Sequence, residues 1–173
     1  ESAPMQPLSV YGRTKAMIES ILIDYREAYG FASTSLRYFN AAGADFDGEL
    51  GERHEPETHL IPLVIQAALG LKANVKIFGS DYDTLDGTCV RDYIHVSDLC
   101  TAHVTALRSL QDGSKGSVFN LANGTGFSVR QIVDAVSEIS GKTISVIQAP
   151  RRRGDPSMLV ACANKAKRQL GWN

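Results

Sequence analysis

Segments with a helical pattern alternate with short strand-like segments along this chain, and that alternation limits the possible folds more than any other feature. Between residues 10 and 29, side chains such as Met17, Ile21 and Tyr25 recur at helical spacing, and Gly30 follows as a C-terminal cap. Alternating elements favour an α/β fold with parallel strand pairing. Helices are predicted at residues 10–29, 61–69, 96–110, 129–140 and 164–170, and strands at 32–40, 75–78, 117–122 and 143–147. Irregular segments are predicted up to residue 57 and from 79 to 92.

Charge and cysteine content exclude several classes of protein. Eighteen basic and nineteen acidic side chains give a net charge of −1, so no overall field attracts nucleic acid or an anionic membrane. Cys89, Cys100 and Cys162 form no Cys-x-x-Cys pair and suit free thiols in a reducing compartment. The four histidines show no metal-ligand spacing, and no apolar run approaches the ~20 residues that span a bilayer. We therefore expect a cytoplasmic protein without a metal site.

Tyr11 and Lys15 lie four residues apart in the first predicted helix, so both side chains should lie on one face. A neighbouring ammonium group favours the phenolate form of a tyrosine, which can then exchange a proton with a sugar hydroxyl. The pair is weak evidence by itself. With six tyrosines in the chain, a Tyr-x-x-x-Lys match arises by chance in roughly one such sequence in four.

Other motifs follow the Tyr-Lys pair in a fixed order. The helix opens with Tyr-Gly-Arg-Thr-Lys, and the next strand reads Leu-Arg-Tyr-Phe-Asn at residues 36–40. Residues 86–98 read Asp-Gly-Thr-Cys-Val-Arg-Asp-Tyr-Ile-His-Val-Ser-Asp, residues 118–121 read Val-Phe-Asn-Leu, and residues 150–156 read Pro-Arg-Arg-Arg-Gly-Asp-Pro. This series resembles the UDP-glucose 4-epimerases of the extended short-chain dehydrogenase/reductase superfamily, and it spans essentially the whole chain. The segment from Asp86 to Tyr93 is its most specific part.

The resemblance implies roles for individual residues. Tyr11 would be the general base, Lys15 would favour its phenolate and bind the nicotinamide ribose, and Tyr38 would lie near the NAD. Arginine suits a diphosphate because its planar fork pairs with phosphate oxygens. The implied substrate contacts are Asn40, Arg91 and Arg152 with the diphosphate, Asp155 with the uridine ribose, the backbone N–H of Leu60 with a phosphate, and Lys76, Ile77 and Phe78 with the uracil.

Each of these residues also has a purely structural interpretation. Without the resemblance, residues 151–153 are about three times more often a solvated charged turn, and Tyr38 and Phe39 are more often core aromatic residues. Asn40 and Asp155 are common turn residues. The functional interpretation depends on the order and spacing of the whole set.

Two positions depart from the resemblance. His59 stands where these epimerases often carry an asparagine that contacts the diphosphate or sugar, and we still place it among the substrate contacts. Leu159 stands where some members carry a bulky aromatic beside the sugar 2-substituent. A smaller side chain there would admit an N-acetyl group, so a UDP-N-acetylglucosamine 4-epimerase is an alternative.

A dinucleotide fingerprint is absent from this sequence. Gly124-Thr125-Gly126 lies between a strand and a helix, but Val129 occupies the position of the third glycine, so we interpret the segment as a turn. In the family that resembles this chain, the fingerprint lies in the amino-terminal half. We therefore expect the chain to be a carboxyl-terminal part, without the adenosine and pyrophosphate portion of the NAD site.

The implied fold is part of a doubly wound Rossmann-type NAD domain plus a smaller α/β substrate-binding lobe. Residues 1–57 and 96–122 would belong to the NAD domain, and residues 58–95 and 123–173 to the lobe. The implied activity is an isomerase reaction that interconverts UDP-glucose and UDP-galactose, by oxidation at C4 with NAD and return of hydride to the opposite face. The isolated chain would be inactive.

Two further possibilities stay open at this stage. The chain could act as a non-catalytic UDP-sugar-binding module, or it could belong to another UDP-sugar enzyme of the superfamily that dehydrates or decarboxylates its substrate. The resemblance also implies a homodimer that packs the helix of Tyr11 and Lys15 against its symmetry mate. We expect an apolar face between Met17 and Tyr25 to be exposed on the isolated chain, which favours self-association.

Overall fold

The computed structural model describes all 173 residues and has the predicted α/β class, with five helices and nine short strands. The helices are α1 (Val10–Tyr29), α2 (Leu60–Ala68), α3 (Val96–Gln111), α4 (Val129–Ser140) and α5 (Asn164–Leu170). The strands are β1 (Ser35–Arg37), β2 (Asn40–Ala42), β3 (Val75–Phe78), β4 (Val90–Arg91), β5 (Tyr93–His95), β6 (Val118–Asn120), β7 (Phe127–Ser128), β8 (Val146–Ala149) and β9 (Met158–Leu159). No helix combines the length and apolarity needed to cross a membrane.

Helix α1 has the predicted bounds, which its capping residues explain. The Ser9 hydroxyl accepts a hydrogen bond from the Gly12 N–H at 3.0 Å, and Gly30 ends the helix at a φ of 68°, a conformation that favours glycine. None of the 20 residues of α1 is buried. Glu19 fastens the helix to β1 by accepting a hydrogen bond from Arg37 Nε at 2.7 Å. This contact raises the pKa of Arg37.

A first core cluster lies beside two parallel strand pairs that join residues 35–42 to residues 93–120. Strand β1 pairs with β6 and β2 pairs with β5, both in parallel. Helix α5 packs against α3 and β6, and the Trp172 indole N–H donates to the Asp98 carbonyl at 2.9 Å. The buried members of this cluster are Ile94, Leu99, Ala102, Phe119, Leu121, Ala122, Ala163, Ala166 and Trp172.

A second, smaller cluster lies between α2, α4 and the parallel pair β3 and β8. Its buried members are Val64, Val75, Ile77 and Val133. Helix α4 begins after its predicted N-cap, Ser128. The structure adds a capping box, in which the Ser128 side chain bonds to the Gln131 backbone and the Gln131 side chain bonds back. Gly141 ends that helix in the left-handed conformation.

Strand β4 is the central strand of a separate three-stranded sheet. It pairs with β7 in the antiparallel direction and with β9 in parallel. The prediction of an irregular segment up to residue 92 was wrong at β4, and the predicted loop up to residue 57 was wrong at β2. The sequence also missed β5, β7 and β9. The predicted strand at 143–147 is shifted to Val146–Ala149. Strands of two or three residues carry too little periodicity to be recognised without their partners.

The observed packing crosses the predicted domain division in two places, and the first is the parallel pairing of β2, in segment 1–57, with β5, in segment 58–95. Pairing of β1 with β6 groups segments 1–57 and 96–122, and pairing of β3 with β8 groups segments 58–95 and 123–173, as the division requires. Helix α5 and Trp172, however, lie in the first cluster. Packing therefore places the last residues with the segments predicted for the NAD domain, because their apolar side chains cover α3. The functions assigned to these segments stay predictions.

Candidate functional site

A cavity of about 540 Å³ lies between α2, β3, β4 and the turn at residues 152–155. Eight of the ten predicted substrate contacts line it, namely Asn40, His59, Leu60, Lys76, Phe78, Arg91, Arg152 and Asp155. Arg91 and Arg152, which lie 61 positions apart in the sequence, thus face one cavity, as two groups that grip one diphosphate must do.

Arg152 stands over the ring of Phe78, with its guanidinium carbon 3.9 Å from the ring centroid. The preceding residue anchors the turn, since Arg151 Nε donates to an Asp81 carboxylate oxygen at 2.7 Å and its guanidinium covers the ring of Tyr82. The hydrogen bond from Arg151 holds the pKa of Asp81 below its ordinary value. Residues 151–153 are therefore an anchored turn with Arg152 directed at the cavity.

Arg91 and Asp155 form an ion pair with each other in the cavity wall. The sequence assigned Arg91 to a diphosphate and Asp155 to a ribose, and it did not predict this contact. Cys89 is also near, with its Sγ 3.7 Å from the second oxygen of Asp155. A ligand that uses Asp155 must share this carboxylate with Arg91.

Tyr82 lies behind the cavity wall with its hydroxyl fully buried and without a hydrogen-bond partner. Burial, together with the neighbouring Cys89, raises the pKa of Tyr82 to about 12. Gly79 is held at a φ of 83°, and a Cβ there would meet the ring of Tyr82 at 2.4 Å. The segment between β3 and β4 thus packs too closely at this point for a larger residue.

The segment from Asp86 to Asp92 serves mainly to hold the cavity wall in place. The buried Asp92 carboxylate accepts hydrogen bonds from the backbone N–H groups of Asn123 and Gly124, at 3.0 and 3.1 Å. The Asn40 side chain donates to the Asp92 carbonyl at 2.9 Å. Since the Gly124 N–H is committed to Asp92, the interpretation of residues 124–126 as a turn, and not as a phosphate loop, is supported.

Asp86 makes a second set of contacts in the same segment. It accepts hydrogen bonds from the Thr88 hydroxyl at 2.7 Å, the Thr88 N–H at 2.9 Å and the Ser128 hydroxyl. Burial alone would raise the pKa of Asp86, but these hydrogen bonds hold it below the ordinary value. The carboxylate thereby ties the 86–92 segment to the start of α4.

The amino end of α2 forms one rim of the cavity. Leu60 is its first residue and His59 its N-cap, without a side-chain capping bond. The Glu57 Oε1 accepts hydrogen bonds from the backbone N–H groups of Thr58 and His59, both at 2.7 Å. The hydrogen bond from the His59 backbone is the largest cause of a lowered pKa at Glu57.

A second cavity of about 690 Å³ adjoins the first, sharing Asn40, Glu57, His59, Leu60 and Tyr93 with it. Tyr38, which follows β1, lines this second cavity. Its ring meets that of His103 edge to face at a centroid distance of 6.2 Å. The residue predicted near a dinucleotide therefore lies beside the residues predicted for the sugar and diphosphate.

Tyr11 and Lys15 lie on one face of α1, as their spacing predicts. The Lys15 Nζ is 5.2 Å from the centroid of the Tyr11 ring. Both side chains are exposed, and neither lines one of the two main cavities. The structure thus places the ammonium beside the phenol but does not bring the pair into contact with the predicted substrate residues.

Two predicted substrate residues lie outside the two main cavities. Ile77 is fully buried in the second core cluster, because alternation along β3 turns Lys76 and Phe78 to one face and Ile77 to the other. Leu159 pairs with Arg91 in the β4–β9 ladder. For these two side chains the structure does not support the predicted contact.

The cavity also contains residues that the sequence did not single out. Tyr93 lines both cavities, and burial raises its pKa. It follows Arg91 by two positions, so strand alternation after recognition of β4 would have predicted a common face. Cys89 and Val129 also line the first cavity, and no signal in the sequence distinguishes them from core residues.

Comparison with known proteins agrees with this geometry. The NAD dependent epimerase/dehydratase family matches residues 1–122. The chain is 52% identical, over 172 residues, to a UDP-glucose 4-epimerase of Rhizobium meliloti, a match that covers 99% of this chain and 52% of that relative.

The chain is also similar to solved structures of UDP-glucose 4-epimerases. UDP-glucose 4-epimerase from Brucella ovis in complex with NAD has a TM-score of 0.88 and 48% identity, covering 94% of this chain and 50% of that one. The enzyme from Stenotrophomonas maltophila with bound NAD and formylated UDP-arabinopyranose has a TM-score of 0.94 and 40% identity, covering 100% of this chain and 52% of that one. This chain spans about half the length of the relatives that it matches. It belongs to the NAD dependent epimerase/dehydratase family.

Proposed function

We propose that this chain supplies the UDP-sugar pocket and the proton-transferring Tyr-Lys pair of an enzyme that interconverts UDP-glucose and UDP-galactose. The observation that carries the proposal is the convergence of Asn40, Arg91, Arg152 and Asp155 on one cavity. These residues come from separate parts of the sequence, and each belongs to one of the motifs that resemble the epimerases. The similarity to UDP-glucose 4-epimerases over nearly the whole chain supports the same substrate.

The charge of the first cavity suits a diphosphate. Four basic side chains line it, namely Lys72, Lys76, Arg91 and Arg152, against two carboxylates, Glu57 and Asp155. Asp155 is already neutralised by Arg91, and Glu57 bonds to backbone N–H groups at the start of α2. The remaining cations can therefore interact with phosphate oxygens, while Phe78 offers an aromatic face beside the Arg152 guanidinium.

Proton transfer at the sugar 4-hydroxyl is assigned to Tyr11. Lys15 stands beside its ring, and an adjacent cation stabilises the phenolate that accepts the proton. NAD held beside this pair would supply a reversible hydride acceptor for C4, with no net oxidation over the cycle. The exposed Tyr11, Lys15 and Tyr38 side chains are free to meet a nicotinamide ribose, and they are the residues of this chain that would hold NAD.

The homodimer belongs to the same proposal. Met17, Ile21 and Tyr25 are each at least half exposed on α1, which provides the apolar face expected for packing against a second copy. An N-acetylated substrate gains no support from the geometry, because Leu159, on which that alternative depends, lines neither main cavity.

Replacement of Tyr11 by Phe in the full-length enzyme tests the assignment. Turnover of UDP-galactose should fall by roughly 10² to 10⁴, the usual contribution of a positioned acid-base group, while the affinity for UDP stays unchanged. Tyr29→Phe is the matched control, since Tyr29 is an equally exposed tyrosine on the same helix. Unchanged turnover in Tyr11→Phe would contradict the proposal.

A non-catalytic UDP-sugar-binding module is the alternative from a different class. A binding module, like the epimerase, should bind UDP. Unlike the epimerase, it requires that the full-length protein turn over neither UDP-galactose nor UDP-glucose. Product analysis with UDP-glucuronate as a further substrate separates the epimerase from dehydrating or decarboxylating relatives. Formation of UDP-glucose from UDP-galactose alone is the expected outcome.

A further inference from the structure

Two histidines and two glutamates meet in the segment before α2, within residues 52–59. They are Glu52, His54, Glu57 and His59. The ligand atoms of Glu52, His54 and His59 all lie within 4.8 Å of one another. The sequence suggested no metal ligands here, because the two histidines are five residues apart in an irregular segment.

The distances in this cluster are those of ligand atoms that share a centre. The Glu52 Oε1 lies 2.8 Å from the His54 Nδ1 and 3.3 Å from the His59 Nδ1. Neighbouring ligand atoms around a tetrahedral zinc ion, with bonds of ~2.0–2.2 Å, lie about 3.4 Å apart. A small outward movement of His54 is sufficient to admit an ion.

The cluster also lacks a cation. No lysine or arginine lies within 4.0 Å of the Glu52 or Glu57 carboxylates, since Arg53 pairs with Glu55 instead. The Glu57 side chain is only 8% exposed and still faces both histidines. A divalent ion would supply the missing positive charge, and the partly exposed Glu52, His54 and His59 leave an approach for the ion and for a water ligand.

We propose that Glu52, His54 and His59 form a binding site for a divalent transition metal of the zinc type. Two imidazole nitrogens and a carboxylate suit zinc and its neighbours better than the hard cations Mg²⁺ and Ca²⁺, which prefer all-oxygen sites. Glu57 adds a second carboxylate beside the site, because its Oε1 lies 3.0 Å from the His59 Nδ1.

A metal at this position would bind a residue that lines both cavities. His59 lines the two of them and immediately precedes α2. The ion ties residues 52–59 together and fixes the His59 imidazole at the entrance to the proposed UDP pocket. Metal binding itself does not depend on the proposed function, since it requires neither UDP nor NAD.

Calorimetric titration of ZnCl₂ into the full-length protein tests the site, in a background that carries Cys100→Ser and Cys162→Ser to remove the exposed thiols. We expect one zinc ion per chain, bound with micromolar affinity and weakened by at least ~10-fold in both His54→Ala and Glu52→Gln. MgCl₂ should give no heat of binding. His103→Ala is the matched control, because His103 is exposed but lies outside the cluster, and its affinity for zinc should equal that of the background.

A spectroscopic titration with Co²⁺ provides a second measurement, since tetrahedral Co²⁺ absorbs visible light when nitrogen and oxygen ligands enclose it. Melting temperatures in the presence of a chelator establish that each variant is folded. Absence of stoichiometric zinc binding would overturn the proposal. Equal affinity in His54→Ala and the background, or an equal loss in His103→Ala, would overturn it as well.

Discussion

The cavity wall and helix α1 carry the two halves of the proposed chemistry, and they are built in opposite ways. Asp86 and Asp92 hold the cavity wall through hydrogen bonds to residues 31 to 42 positions away, and Asp92 is completely buried. Helix α1 buries none of its residues, and Tyr11 and Lys15 depend on helical spacing alone. The binding residues are therefore fixed by this chain's own packing, whereas the orientation of the Tyr-Lys pair toward the sugar is not.

Loss of Asp92 should have the largest effect on stability. Asp92→Ala leaves the N–H groups of Asn123 and Gly124 without an acceptor, which we expect to lower the free energy of unfolding by about 3 kcal/mol in urea denaturation. Asp134→Ala, at an exposed aspartate, serves as the control. It should change the free energy of unfolding by less than ~0.5 kcal/mol. A loss below ~1 kcal/mol in Asp92→Ala would mean that the cavity wall is not held by this carboxylate.

Arg152 should contribute to ligand affinity without a comparable effect on stability. Arg152→Ala removes a cation and its contact with Phe78, so we expect UDP to bind about 30-fold more weakly, or ~2 kcal/mol. Arg153→Ala is a close control because Arg153 lines neither main cavity. Equal losses in the two variants would indicate a general charge effect and not a specific contact.

Asp86 should make the folding stability of the chain depend on pH. Its folded-state pKa is lowered, so its contribution to stability is fully present above the ordinary value of ~3.9 and is lost as the pH falls through the lowered folded value. Asp86→Asn should cost about 1 kcal/mol at neutral pH, and that difference from wild type should shrink under acid conditions. Asp47→Asn, at an exposed aspartate, should show no such trend. A difference that grows with acidity would contradict the assignment.

Charge placed on α1 should have the smallest effect on folding and a clear effect on association. Ile21→Glu lies on the exposed face, so we expect a change in unfolding free energy of less than ~0.5 kcal/mol together with loss of the proposed dimer in sedimentation velocity. Gln111→Glu adds the same charge at an exposed position of α3 and should leave association intact. A wild-type chain that sediments only as a monomer would count against self-association.

The sequence predicted the elements whose signals are local. Helices α1, α4 and α5 begin and end where capping residues and periodicity indicate, and β3 has its predicted bounds. Strand β4 escaped prediction because its two residues acquire strand character from β7 and β9, far away in the chain. Helix α5 packs in the first cluster through contacts with α3 and β6, which its own short sequence pattern does not indicate.

The features of the candidate site also divide into those that the sequence predicts and those that depend on the fold. Recognition of motifs selected Asn40, Arg91, Arg152 and Asp155, and the fold brings them to one cavity. The ion pair between Arg91 and Asp155 could not be predicted, because it depends on how β4 lies against the 152–155 turn. Strand alternation already predicts that the Ile77 side chain faces away from those of Lys76 and Phe78.

The central claim is that the UDP pocket is complete within this chain, and a calorimetric titration with UDP in the absence of NAD tests it most directly. The cavity residues are held by contacts among residues 40–159, so we predict saturable binding at micromolar concentration with one UDP per chain. Absence of binding by a chain that is folded, as judged by a cooperative thermal transition, would contradict it.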